Sequence, residues 1–299
     1  MTASTSAADS RLRLFLRQFA DSKLALVGAV VLALLLLAAL FAPLLSPQNP
    51  YDLAQLNIMD SRQAPGTASS SSGQVFLFGT DEQGRDMLSA MLYGLRISLS
   101  IGTVATLLAL SIGVSLGLIA GYAGGRFESF LMRLVDIQLS FPAILLALIL
   151  ISVLKPGIGN VIIALVAVQW AYYARTVRSA ALVERKKEYI EAAQGLGLSH
   201  ARIVFKHLLP NCLPPVIVVA ALQVANAIAL EATLSFLGLG VPITEPSLGL
   251  LIANGQQHLI SGSYWMSVYP GLVLLTSILA INLVADQLRD VLNPRLQKQ

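Results

Sequence analysis

Histidines are the side chains in this 299-residue chain that most readily suggest catalysis or metal binding. His200, His207 and His258 all lie outside the long apolar runs, so none can pair with a serine, an acid or a metal within such a run. His200 and His207 are seven residues apart, and no cysteine or third ligand follows at the spacing of a zinc site. The chain also lacks a GxxxxGK[ST] sequence for ATP phosphates. We therefore expect no catalytic residue and no bound metal.

Acidic residues offer a second kind of chemistry, the binding of a coupling ion. Asp136, Glu231 and Asp286 lie within apolar runs or at their edges. An ion-coupled transporter would place an acid near the membrane midplane, whereas these acids lie near helix ends that water can reach. Glu231, on the outer side, stays a candidate pathway or gate residue.

The segment "GTDEQGRD" superficially resembles a calcium loop. Gln83 and Arg85 occupy positions that would have to be ligands, and no glutamate follows at the right distance. The segment instead predicts a turn before a helix that begins near Asp86, whose carboxylate can cap the helix.

The elements that carry these residues are predicted to span a membrane. Hydrophobic residues make up 56% of the chain and charged residues only 12%, whereas soluble domains average about 25% charged. A bilayer core about 30 Å thick needs about 20 apolar residues per helix. Six runs meet this length and predict an all-α fold with six transmembrane helices: Leu24–Leu45, Ile97–Tyr122, Ile137–Leu154 extended to near Leu131, Pro156–Ala174, Leu208–Leu230 and Tyr264–Ala285.

Basic residues predict the orientation, because basic loops stay on the cytoplasmic side. Sixteen of the twenty Lys and Arg residues fall on one side, and Arg62, Arg85, Arg96 and Lys155 fall on the other. Both termini are therefore expected in the cytoplasm, and the sequence pI of about 9.3 reflects this bias and not nucleic-acid binding. The first run is too long for a signal peptide, and "RLRLFLRQFA" before it predicts an interfacial helix.

The outer loops differ in kind. The first, from Ser46 to about Arg96, contains several prolines and "TASSSSG", which predict an irregular, mobile connector. The third contains "PSLGLLIANGQQHL", which is long enough for a short helix.

Glycines recur every fourth residue in the second run. Gly113, Gly117, Gly121 and Gly125 would line one helix face and let another helix approach closely. The neighbouring helix could belong to this chain or to a partner subunit.

The cytoplasmic loop of about 35 residues that ends at Pro210 has more order than a connector needs. "VERKKEYIEAAQG" predicts a short amphipathic helix with one contact face formed by Tyr189, Ile190 and Ala193. Gly197 can end this helix with a positive φ, and Ser199 can N-cap a second helix that Pro210 helps terminate.

The stretches "EAAQGLG" and "HLLPN" resemble the EAA signature of permease subunits in binding-protein-dependent ABC importers. Four more segments, "KLALVGAVVLALLLLAALFAPLLSP", "FGTDEQGRDMLSAMLYGLRISLSIG", "EATLSFLGLGVP" and "LRDVLNPRL", are similar to the C-type permease of the dipeptide, oligopeptide and nickel branch. The resemblance covers nearly the whole chain.

This resemblance implies a type I ABC importer permease in the bacterial cytoplasmic membrane. Its partners would be a homologous permease, two cytosolic ATPases that carry ATP and Mg, and an extracytoplasmic substrate-binding protein, so this chain would bind no cofactor itself. The EAA segment would be a coupling helix on the ATPases, in which Glu191 makes a polar contact, Ala192 and Ala193 allow close approach, and Gly197 sets the bend. The residues implied for the contact are Glu188, Tyr189, Glu191, Ala192, Ala193 and Gly197, framed by Ser199 and Pro210.

The expected organisation has four parts. An N-terminal segment with the interfacial and first transmembrane helices covers 1–60, an extracytoplasmic loop 61–95, the importer domain with its coupling loop at 184–211 covers 96–288, and a cytoplasmic tail 289–299. Peptide is the expected substrate, and glutathione, a nickel chelate or a sugar are alternatives within the branch. An ion-coupled secondary transporter or a channel-like pore is the alternative class.

Overall fold

A computed structural model describes residues 13, 17–52, 55–70 and 72–292. The predicted interfacial helix lies partly outside these ranges, and residues 293–299 of the predicted tail lie wholly outside them. The described chain is all-α apart from one small hairpin, which confirms the expected class. The helices are α1 Lys23–Leu40, α2 Ala42–Leu45, α3 Met87–Ala123, α4 Gly125–Ser140, α5 Ala143–Leu154, α6 Ile158–Glu184, α7 Glu188–Gly195, α8 His200–Arg202, α9 Leu209–Phe236, α10 Leu248–Gln256 and α11 Trp265–Leu292.

Among the described residues, five helical stretches are long and apolar enough to cross a membrane, namely α1, α3, α6, α8 to α9 taken together, and α11. A sixth crossing needs α4 and α5 together, and these two helices meet at an angle of 94°. The predicted span from near Leu131 to Leu154 is therefore not one continuous helix, although the bent pair can form one crossing. Pro142 lacks an N–H and disfavours helical backbone at Phe141, which adopts φ −92° and ψ 142° and ends α4.

The glycine stripe packs within this chain. Gly113, Gly117 and Gly121 on α3 face α6, and a Cβ at Gly117 would lie only 2.8 Å from the Cα of Ala174. Helices α3 and α6 thereby approach at backbone distance, so the neighbour of the stripe belongs to this chain. Gly125 is not part of the stripe, because it follows the end of α3 with φ +64° and has nothing near its Cβ position.

The second helix of the cytoplasmic loop does not end at Pro210. Short α8 continues through a π-helical stretch, Ile203–Leu208, directly into α9. Pro210 lies in the first turn of α9, where a missing N–H and a fixed φ are tolerated. The prediction of a helix end there is therefore wrong, and the loop is continuous with a membrane-spanning helix.

The outer segment, residues 46–86, is not an irregular connector. Its described part contains a 3₁₀ turn, Ile58–Asp60, and an antiparallel hairpin of β1 (Thr67–Ala68) with β2 (Val75–Phe76). Ser69, Ser70, Ser72 and Gly73, part of the stretch that suggested low complexity, lie in the hairpin turn. The hydroxyl groups of Ser69 and Ser70 donate to the Asp60 carboxylate.

Two local predictions on the outer side are confirmed. Asp86 is the N-cap of α3, and its carboxylate accepts a hydrogen bond from the backbone N–H of Ser89 at 2.8 Å. The segment "PSLGLLIANGQQHL" forms α10, which Ser247 caps in the same way. Helix α10 packs against α9, α11 and α3.

Candidate functional site

Helix α7 has one buried face and one exposed face. Ile190 is fully buried and Ala193 is 5% exposed, whereas Glu188, Glu191 and Ala192 are exposed. The exposed face therefore carries two carboxylates beside a small side chain. In an amphipathic helix, side chains three and four residues apart share a face. The buried residues Ile190 and Ala193 follow this spacing.

The buried face attaches α7 to the transmembrane bundle. Ile190 and Ala193 belong to one apolar cluster with residues of the π stretch and α9, and with residues of α3 and α6. The members from the π stretch and α9 are Ile203, Val204, Leu208, Cys212 and Val216. Ala193, which the resemblance implied as a residue of close approach to a partner, is instead covered by its own chain. Ile190 likewise contacts the bundle and not the cytosol.

A tight turn follows α7. Gly197 has φ +68°, as the sequence predicts, and its N–H donates to the Gln194 carbonyl at 2.9 Å. The N–H of Leu198 donates to the Ala193 carbonyl at 3.2 Å, so the two bonds form a Schellman motif. Ser199 occupies the N-cap position of α8, but its hydroxyl makes no capping bond.

Glu184 joins the end of α6 to the start of α7. Its carboxylate accepts hydrogen bonds from the Tyr189 hydroxyl at 2.7 Å and from the Lys187 ammonium at 2.6 Å. Desolvation and the neighbouring Glu184 carboxylate raise the pKa of Tyr189 to about 12. Tyr189 therefore stays a neutral hydrogen-bond donor at physiological pH.

The cytoplasmic loop is also fastened to the end of α3. Arg185 donates through Nη1 to the Gly121 carbonyl at 2.8 Å, and the Tyr122 hydroxyl lies 2.7 Å from Nδ1 of His200. These contacts flank α7 on both sides along the chain. The loop is therefore tied to α3 as well as to α9.

Glu231 is fully buried, so the expectation that water reaches it is wrong. Its carboxyl group accepts hydrogen bonds from Ser98 of α3 at 2.9 Å and from Ser235 at 2.7 Å. Ser247, the N-cap of α10, hydrogen-bonds to the same group. The residue thus joins α3, α9 and α10, and it does not line an open passage in this conformation.

Sequence reasoning missed two sets of residues. Leu196, beside the turn glycine, is 80% exposed and adds an apolar contact point to the tip of the loop. Gln169, Gln223 and Asn226 meet between α6 and α9. The available signal was the presence of amide side chains in the middle of apolar runs, where lipid provides no hydrogen-bond partner.

Side chains that could bind a metal ion are not clustered in the part of the chain that the structure describes. Across residues 13, 17–52, 55–70 and 72–292, no three His, Cys, Asp or Glu side chains come together as a metal site.

The fold has counterparts among solved structures. Solved chains of the MetNI methionine ABC transporter, in inward-facing conformations, match this chain with TM-scores of 0.56 and 0.57 at 21% identity. The match covers 69% of this chain and 98% of the solved chain. The bundle therefore has the fold of an ABC importer permease.

The chain belongs to the family of binding-protein-dependent transport system inner membrane components, whose family model matches residues 113–298. A second model, the N-terminal transmembrane domain of oligopeptide transport permease C, matches residues 10–65. Members of this family are transport permeases, and this chain is a multi-pass protein of the inner membrane.

Similar proteins include named transport permeases. The di/tripeptide transport system permease protein DppC of Pseudomonas aeruginosa is 39% identical over 96% of this chain and 93% of that protein. The dipeptide permease DppC of Haemophilus influenzae is 35% identical over 99% of both chains. The oligopeptide transport system permease protein OppC of Bacillus subtilis is 37% identical over 94% of this chain and 88% of that protein.

Proposed function

We propose that this chain imports dipeptides and oligopeptides as one half of an ATP-driven permease pair. Its partners are a homologous permease, two cytosolic ATPases and an extracytoplasmic substrate-binding protein. ATP and Mg bind to the ATPases, and this chain contributes the passage and the mechanical connection. Both termini and the loop that contains α7 face the cytoplasm, in keeping with the distribution of basic residues.

The single observation that carries this proposal is the division of α7 into an anchored face and an exposed face. Ile190 holds the helix on the bundle, while Glu188, Glu191 and Ala192 remain free to contact another protein. A solvated connector would not need a fully buried anchor. The exposed Leu196 supplies the apolar part of the same contact surface.

The attachment of α7 gives a route for force. The apolar cluster beneath it reaches α3, α6 and α9, and no flexible linker separates α8 from α9. Closure of the ATPases would therefore shift α7 together with the cytoplasmic ends of three helices. Discrete rearrangement of packed helices is how such a bundle can alternate between inward and outward states.

The substrate class is supported by the names of relatives that this chain matches over nearly its full length. The three relatives described above are named for transport of di/tripeptides, dipeptides and oligopeptides. Uptake by reconstituted complex in proteoliposomes should need ATP and should continue in the presence of a protonophore. Loss of uptake on adding protonophore, with ATP present, would favour an ion-coupled transporter.

Coupling is tested with three variants of the loop in the full complex. Glu191→Lys reverses a charge on the exposed face, and Gly197→Pro imposes φ near −65° where the chain has +68°. We expect normal membrane abundance but a loss of co-purified ATPase, or of the hydrolysis that loaded binding protein stimulates, by at least about tenfold, or about 1.4 kcal/mol.

Gly195→Ala is the matched control. Nothing lies within 4 Å of a Cβ at Gly195, and alanine favours a helix over glycine by about 1 kcal/mol. This variant should couple normally. If Glu191→Lys and Gly197→Pro both keep full stimulated hydrolysis and uptake, α7 does not transmit the conformational change.

A further inference from the structure

Amide side chains meet near the middle of the membrane-spanning bundle. Gln169 of α6 is 2% exposed, and its Nε2 donates to the main-chain carbonyl of Gln223 on α9 at 3.1 Å. Thr106 of α3 donates to Oε1 of Gln169 at 3.3 Å, and Asn226 donates to Oε1 of Gln223 at 3.1 Å. Helix α9 has 28 residues and is roughly 40 Å long, so Gln223 and Asn226 lie within a turn or so of its centre.

A cavity of about 590 Å³ opens beside this amide cluster. Its polar lining consists of Gln169, Tyr172, Gln223, Asn226 and Thr233, and the other lining residues are aliphatic. Among the described residues, no charged side chain lines it. A volume of this size falls within the roughly 300–1,000 Å³ of small-molecule sites.

Asn226 indicates that this cavity does not face lipid. The residue is exposed on the isolated chain although it lies near the middle of a membrane-spanning helix. In the part of the chain that is described, it makes one side-chain hydrogen bond, whereas its amide can make about four. Hydrocarbon cannot supply the remaining partners, so polar residues at this depth face protein or water.

The surface around Asn226 has a shape that suits a ligand moving past it better than a partner helix packed against it. Where this chain does pack two helices closely, at Gly113, Gly117 and Gly121, it uses small residues that bring backbones into contact. The surface at Asn226 is instead concave and carries large amide and phenol side chains. A partner helix packed there would have to fill the cavity and satisfy these groups.

We propose that the cavity is the part of the import pathway in this chain that contacts the main chain of the transported peptide, with Asn226 as the contacting residue. This inference rests on the proposed peptide transport. Peptide groups present one N–H and one C=O whatever their side chains, and a carboxamide offers a matching donor and acceptor. A neutral lining also leaves acidic and basic peptides equally acceptable. Gln169 is a positioning residue, because it holds α9 through the Gln223 carbonyl and has little exposed surface of its own.

Water access to the cavity is tested first, in the full complex with the background Cys212→Ala. Asn226→Cys should react with a small charged methanethiosulfonate reagent, because such reagents modify thiols in water and not in lipid or in a packed interface. Ala227→Cys, at the fully buried next position on α9, is the control and should stay unmodified. An unreactive Asn226→Cys would show that a partner helix or lipid covers this surface and would overturn the proposal.

Transport is tested next with neutral, acidic and basic dipeptides. Asn226→Leu keeps a similar volume but removes the amide, and it should lower uptake per ATP hydrolysed about tenfold for all three peptides, or about 1.4 kcal/mol. Asn226→Gln, which restores the amide, should stay within about threefold of the parent, or about 0.65 kcal/mol. ATPase assembly should be unchanged in both variants, since the residue is far along α9 from the cytoplasmic loop.

The outcomes separate the inference from the proposed function. If the parent complex transports peptides and Asn226→Leu does so equally well, only the inference fails. A loss of uptake restricted to acidic or to basic peptides would also overturn the inference, because hydrogen bonds to the peptide main chain do not depend on side-chain charge. If the parent complex transports no peptide, the proposed function fails and the inference fails with it.

Discussion

The outer segment, residues 46–86, and the cytoplasmic loop, residues 184–211, are both polar interruptions of an apolar chain, but they use their polar side chains in opposite ways. In the outer segment Asp81, Arg85 and Asp86 are buried at 3%, 1% and 1% exposure. In the cytoplasmic loop Glu188 and Glu191 are exposed. The outer segment pairs its buried carboxylates with its own residues, although Nη2 of Arg85 has no hydrogen-bond partner, whereas the loop leaves Glu188 and Glu191 exposed.

The difference shows that charge in a loop does not by itself reveal its role. A buried ion pair costs several kcal/mol in desolvation, so its partners must be held in a defined geometry. An exposed charge contributes little to stability and stays available for binding. The outer segment is therefore a structural cap, joined to α11 by the Trp265 indole N–H, which donates to the Thr80 carbonyl at 3.1 Å.

The largest difference between the outer segment and the cytoplasmic loop should appear when one buried charge of the outer segment is removed. Asp81 accepts from Arg85 Nε at 2.6 Å and from the backbone N–H groups of Gln83 and Arg85. Asp81→Ala would leave Arg85 buried without its partner, which costs about 3–5 kcal/mol. Hydrogen–deuterium exchange of residues 57–86 in the full chain should accelerate strongly.

Glu82→Ala is the control for this change, since the Glu82 side chain is 56% exposed and one residue away. Glu82→Ala should change the free energy of unfolding by no more than about 0.5 kcal/mol. Equally fast exchange in the two variants would mean that the buried ion pair does not hold the outer segment together. The contrast with the cytoplasmic loop would then be wrong.

A smaller contrast should come from two glycines with positive φ, Gly79 at +79° and Gly197 at +68°. Alanine pays about 1–2 kcal/mol for this backbone conformation at either position. At Gly79 the added Cβ would also lie 2.6 Å from the Gln63 carbonyl oxygen and 2.8 Å from Nε1 of Trp265, whereas at Gly197 it meets open space.

Thermal unfolding of the full chain carrying Gly79→Ala or Gly197→Ala measures this contrast. Gly79→Ala should lower stability by about 1–3 kcal/mol more than Gly197→Ala, because overpacking adds to the backbone cost. A larger loss for Gly197→Ala would indicate that the loop, and not the outer segment, is the more tightly built region.

The smallest contrast concerns pH, since the two regions should respond at opposite ends of the scale. Burial raises the pKa of Asp60 in the outer segment, but hydrogen bonds from Ser69 and Ser70 outweigh it and hold the pKa below 3.8. Its contribution to stability is therefore present above about pH 3.8 and lost as the pH falls further. For Tyr189 in the loop, with a pKa raised to about 12, the contribution is present below pH 10 and lost as the pH rises toward 12.

Thermal unfolding of Asp60→Asn and Tyr189→Phe, measured as a function of pH, tests the acid and the alkaline response of stability. Asp60→Asn should flatten the acid response only, and Tyr189→Phe the alkaline response only. Comparison with the parent at each pH is needed, because burial raises the pKa of nearby Asp86 and gives it the opposite dependence. If Tyr189→Phe leaves the alkaline response unchanged, the hydrogen bond to Glu184 does not order the loop.

The sequence by itself determined the features that depend on neighbouring residues along the chain. The apolar runs predicted the membrane crossings, Asp86 predicted the start of α3, and Gly197 predicted the turn after α7. Helix length, capping and backbone φ are local properties, because they involve residues within about one turn of each other. The EAA segment was identified for the same reason, as a continuous pattern of residue types.

Only the tertiary structure decided which of these side chains are covered. Glu231 is buried where Ser98 of α3 and Ser247 before α10 reach its carboxyl group, and Ala193 faces inward because the π stretch and α9 lie beneath α7. The meeting of Gln169 with Gln223, 54 residues apart, depends on the packing of α6 against α9. Burial is set by contacts between distant segments, and residue spacing within one segment does not reveal which segment will cover it.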